Sequence, residues 1–144
     1  MRQGAEALQD DWAITVILAD AAQVADGKLS VLGGGWQFIS AAPRASALGI
    51  IISVPWTQTN RKHTLAFSLL DVDGNPVNFH EAPVRFSSEF EVGRPPGSAQ
   101  GSRFNVPLAV NVGPMGLRPG RYEWSWAMDG GTRPDWKLEF EVRA

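Results

Sequence analysis

No cysteine occurs in the 144 residues. That excludes disulfide frameworks, thiolate zinc sites and thiol nucleophiles. Histidine is nearly as scarce, with His63 and His80 alone. The His-x-His spacing with which a β-strand commonly presents a metal is missing, so no metal site and no cofactor is expected. Charge of one sign is also lacking: 13 basic residues stand against 15 acidic ones, for a net −2, and only Arg61 and Lys62 adjoin among the basic ones. Nucleic-acid binding needs a basic excess or patch, and polybasic membrane tethering needs a cluster. No apolar run reaches the ~18 residues of a membrane span. The apolar stretch 12–19 follows Glu6, Asp10 and Asp11 and contains Thr15, which favours a first β-strand over a secretory leader. The expected location is cytoplasmic.

Helical periodicity is almost absent. Fifteen glycines and ten prolines punctuate short runs rich in Val, Ile, Phe, Trp and Leu, which is the pattern of an all-β domain. The expected fold is a two-sheet antiparallel sandwich of about eight strands, immunoglobulin-like or jelly-roll-like, with little helix. Residues 1–11 read as an N-terminal tail and 12–144 as a single domain. Strands are expected over 12–18, from 28 through 31 toward Trp36 and Phe38, then over 48–54, 63–71, 84–92, 104–112, 121–128 and 136–142. The second is one kinked strand or two, because Gly33, Gly34 and Gly35 interrupt it. The third is apolar almost throughout and is expected to be central. Pro107 assigns the sixth to an edge or a bulge. The last two are expected to pair as a hairpin through residues 129–135. A short helical turn is expected over 21–25.

Chemistry is sparse. Asp71, Asp73, Gly74 and Asn75 begin like an acidic calcium loop, but the later ligands and closing glutamate are missing, so an ordinary turn is expected. There is no Gly-x-Ser-x-Gly elbow. Glu89 and Glu91 share the solvent face of a strand, where they solubilise. No catalytic constellation emerges, and the chain is not expected to be an enzyme.

Two other features suggest contact surfaces. The loop 93–103 is rich in glycine and carries Arg94 and Arg103, which either hold an anion or a partner's acidic group or belong to a surface loop. Six tryptophans occur. Trp124, Trp126 and Trp136 fall on apolar strand faces and belong to the core. Trp12, Trp36 and Trp56 fall at strand ends, where indoles either cap a core or serve as binding platforms.

Residues 18–36 (LADAAQVADGKLSVLGGGW) and 117–124 (LRPGRYEW), with Val54-Pro55-Trp56 and Asp73-Gly74, carry a resemblance. Together they resemble a family of small uncharacterised bacterial proteins, a domain of unknown function, over most of the chain. The resemblance implies a bacterial, non-secreted protein and no particular activity. The expected function is a non-catalytic interaction or assembly module that binds another protein or its own copies. The alternative is a small-ligand, carbohydrate-type binder stacking sugars on Trp36 or Trp56, with Asn60, Arg61 or Asn78 nearby. Candidate binding residues are Trp36, Trp56, Arg61, Arg94 and Arg103.

Overall fold

Alternation decides which side of each strand is buried. Leu48, Ile50, Ile52 and Val54 alternate along one strand, and each is 0% exposed. Leu65, Phe67 and Leu69 do the same on another, as do Trp124, Trp126 and Met128 on a third. These side chains meet in one core between two sheets, and each contributes about 1.5–3 kcal/mol by burial.

The computed structural model describes residues 12–144; the tail expected over 1–11 lies outside the described residues. One sheet has three antiparallel strands, β1 (Ala13–Ala19), β5 (Arg44–Val54) and β10 (Phe104–Met115), with β5 in the middle as expected. The other joins β4 (Phe38–Ser40), β12 (Lys137–Arg143), β11 (Gly120–Met128), β6 (Lys62–Asp71) and β9 (Arg85–Glu91) in that order. All its pairs are antiparallel except β4–β12, which is parallel. Two ribbons complete the fold, β2 (Ala21–Ala25) with β3 (Lys28–Leu32), and β7 (Asn78–Phe79) with β8 (Ala82–Pro83). The only helical element among the described residues is a 3₁₀ turn, Trp56–Gln58. No helix is long and apolar enough to cross a membrane.

The all-β sandwich is therefore as expected. The Tyr122 hydroxyl, near the start of β11, donates to the Arg118 carbonyl at 2.7 Å. That is the tyrosine corner of such sandwiches.

One local expectation needs correction, and one that was left open is decided. Residues 21–25 form β2, not a helical turn. Asp26 and Gly27, at φ 52° and 68°, make the two-residue turn that matches strand twist, and β2 pairs with β3 along its length. Of the two readings left open for 28–38, the chain takes the second, two strands on different sheets. β3 ends at Leu32, and residues 33–37 then cross to the other sheet, where β4 begins.

Candidate functional site

Four of the five candidate residues gather at one end of the sandwich. Trp56 opens the 3₁₀ turn after β5. Arg94 lies on its indole, with the guanidinium carbon 3.8 Å from the ring centroid. Arg94 Nε donates to Thr59 Oγ1 at 2.7 Å, and Nη2 donates to the Trp56 carbonyl at 2.9 Å. Arg103 does similar work at the other end of the same loop, donating to Ser53 Oγ at 2.7 Å and to the Ser53 carbonyl at 3.0 Å. Arg103 thus clasps the β9–β10 loop to the end of β5, and Arg94 clasps it to the turn that follows. Arg61 reaches Gln58 Oε1 at 3.5 Å.

Trp36 stands apart, beside Arg44 and Ser46 at the start of β5, whereas Trp56 follows its end. Trp36 packs edge-on against Phe140, with centroids 5.7 Å apart. The two indoles therefore do not form one shared platform, and one face of Trp56 is covered by Arg94.

Trp36 does line a cleft of about 530 Å³ where the sandwich is open along one side. Val16 and Leu18 of β1 form one wall, and Leu138 and Phe140 of β12 the other. A strap closes one end of this seam. Gly35 N–H donates to the Leu18 carbonyl at 2.7 Å, and Glu141 N–H donates to the Gln37 carbonyl at 2.8 Å.

That first bond orients β1. The Leu18 carbonyl points away from β5, and a strand repeats every two residues. Ile14 and Val16 therefore also turn their N–H and C=O groups outward. At the far end, the Trp12 carbonyl accepts from Arg133 Nη1 at 3.4 Å. Between these ends, the main-chain groups of Ile14 and Val16 have no partner among the described residues.

Unpaired strand edges are usually guarded by charge, proline, bulges or short length. β9 carries Arg85, Glu89 and Glu91. β10 carries Pro107 and a register irregularity between Val112 and Met115. Leu48 faces β10, where it pairs with Val110, so Pro107 falls on the outward side and removes a donor there. β4 has three residues, with Arg143 lying over Phe38 at 3.7 Å. The part of β12 that β4 leaves uncovered carries Lys137 and Glu139, paired at 3.7 Å. β1 reads Ala-Ile-Thr-Val-Ile-Leu-Ala. It has no charge, no proline and no bulge.

Other polar clusters are occupied in holding the fold. His63 is 3% exposed, with Nδ1 2.7 Å from Asp129 Oδ2 and Nε2 2.8 Å from the Gln58 carbonyl. Asp129 Oδ1 also accepts the Thr64 N–H at 2.8 Å. With both ring nitrogens bonded and the ring enclosed, His63 pins three segments together. Asp71 Oδ1 accepts from the N–H groups of Asp73 and Asn75 at 2.9 and 3.0 Å, which makes it an Asx turn. Among the described residues, no group of three His, Cys, Asp or Glu side chains is placed to hold a metal. Burial pushes the Tyr122 phenol above its ordinary value of 10; the Asp71 carboxylate adds to the rise, while the Arg118 charge opposes it.

Sequence reasoning missed the β1 edge and the Asp129–His63–Gln58 pin. The run from Ala13 to Ala19 is visibly uncharged, but only the strand order reveals that it is an edge.

The chain belongs to a family of unknown function (DUF6941), whose model matches residues 14–143. No curated protein matches it.

Proposed function

We propose, for this member of a family of unknown function, that it is a non-catalytic protein-interaction module that receives an extended segment of another chain on the β1 edge. Strand addition supplies affinity through main-chain hydrogen bonds and specificity through alternate side chains. One observation carries the reading: among the described residues, β1 is the one edge strand of the two main sheets without a guarding device, and it borders a cleft lined by apolar side chains of both sheets together with Arg121, Glu139 and Glu141. The rim tryptophans give the carbohydrate alternative no comparable support, since Arg94 lies on Trp56 and Trp36 packs against Phe140.

The test installs the missing guard. Thr15 is exposed on the outer face of β1, so Thr15→Lys adds a charge at the edge and changes stability by no more than about 0.5 kcal/mol. Thr64→Lys places the same charge on the opposite sheet as a control. Tagged proteins are used to capture partners from a lysate of the source organism. The expected result is a stoichiometric partner that wild type and Thr64→Lys retain and Thr15→Lys loses. Equal retention by all three would remove β1 from the interface.

A further inference from the structure

Among the described residues, the unpaired length of β1 is short and closed at both ends. Thr15 is its midpoint. Ile14 and Val16 flank it and offer two N–H and two C=O groups. One step beyond them on either side, the Trp12 carbonyl is held by Arg133 and the Leu18 carbonyl by Gly35. These stops bear on what can dock. A second folded copy pairing antiparallel about Thr15 would set its Trp12 opposite Leu18. Neighbouring strands lie ~4.8 Å apart, and that space is taken by Gly35, whose nitrogen is 2.7 Å from the Leu18 oxygen. The occupant must instead turn away from β1 after about five residues, as an extended segment can and a strand fixed in a sheet cannot.

The pleat determines the segment's chemistry. A guest residue that exchanges main-chain bonds with Val16 or Ile14 projects its side chain to the same face as theirs. That face is the interior one, since both side chains pack against the core. The residue facing Val16 enters the cleft among Leu18, Trp36, Leu138 and Phe140, which Arg121, Glu139 and Glu141 also line. Residues on the guest's other face lie beside Thr15 and Ile17, where β1 has no charge to match. Resting on the reading of β1 as the docking edge, we infer that its guest is an extended segment of another protein, about five residues long, with apolar side chains at the two positions facing Val16 and Ile14.

The experiment adds the peptide acetyl-Thr-Val-Thr-Val-Thr-amide to the isotopically labelled full chain and follows amide hydrogen exchange by NMR. Ile14 and Val16 should exchange roughly tenfold more slowly at saturation, because paired amides are protected. N-methylation of both valines should abolish the protection, whereas N-methylation of the central threonine should not. Replacing both valines with lysine should abolish it too. Equal protection by the lysine peptide would overturn the apolar requirement and leave strand addition standing. Protection that grows with protein concentration alone would overturn the segment in favour of a second copy. No protection by any peptide would overturn the inference; the Thr15→Lys capture then decides separately whether β1 is an interface at all.

Discussion

Tyr122 is the chain's only tyrosine, so tyrosinate absorbance reports on it alone. Burial, the first cause, and the Asp71 carboxylate both favour its neutral form. Its folded-state pKa therefore lies above the unfolded value of 10. The stability it contributes is fully present below pH 10 and is lost as pH rises through the folded-state value. An alkaline titration should place the phenolic midpoint above 10 in the native protein and return it toward 10 in denaturant. The tryptophans divide in a similarly local way. Trp124, at 3% exposure, should cost about 3–5 kcal/mol as Trp124→Ala. Trp56→Ala should cost about 1 kcal/mol, chiefly through loss of its stacking with Arg94. Denaturant unfolding of both variants checks this, and equally large losses would place Trp56 in the core. Alternation made Trp124 and Trp126 legible in the sequence as core residues. His63 was not legible as a pin, because its partners Asp129 and Gln58 lie in separate loops.

The β2–β3 ribbon shows how tertiary contacts decide a strand. Ala-Ala-Gln-Val-Ala holds three alanines, which are poor strand formers, and sequence reasoning took it for a helical turn. In the folded chain, Asn111 of β10 imitates a neighbouring main chain. Its Nδ2 donates to the Ala22 carbonyl at 3.0 Å, and its Oδ1 accepts the Ala22 N–H at 3.4 Å. The ribbon also covers Gly49 of β5, where a Cβ would come 2.9 Å from Val31 Cγ2. Asn111→Ala removes the part-buried bridge to the Ala22 main chain and should cost about 0.5–1.5 kcal/mol. Exchange at the β2 and β3 amides should accelerate while the amides of β5 keep their relative protection. Uniform acceleration through both sheets would show that the ribbon does not open independently.

Across the whole molecule, strand number was more legible than strand order. Seven of the eight expected runs are the long strands β1, β5, β6, β9, β10, β11 and β12, and the eighth, 28–38, divides into β3 and β4. The twelve strands among the described residues exceed the expected number because the two ribbons and β4 are too short to show periodicity. Pairings such as Ile50 with Val16 and with Leu108 join distant segments and leave no mark in local sequence. The same holds for the candidate site. Arg94 and Arg103 stood out as arginines in a glycine-rich loop, but their use as clasps depends on where β5 ends. The unguarded edge of β1 depends on which strand lies beside it.

The placement of β5 has a consequence during synthesis. Its run of Leu48, Gly49, Ile50, Ile51 and Ile52 leaves the ribosome long before β10, which supplies its second neighbour. β6, β9 and the intervening loops must be translated first. Until Phe104 to Met115 emerge, the most apolar strand of the nascent chain has β1 on one side and nothing on the other. Exposed apolar strands of this kind are prone to misassociation, which makes this interval the one in which a holding chaperone would matter most.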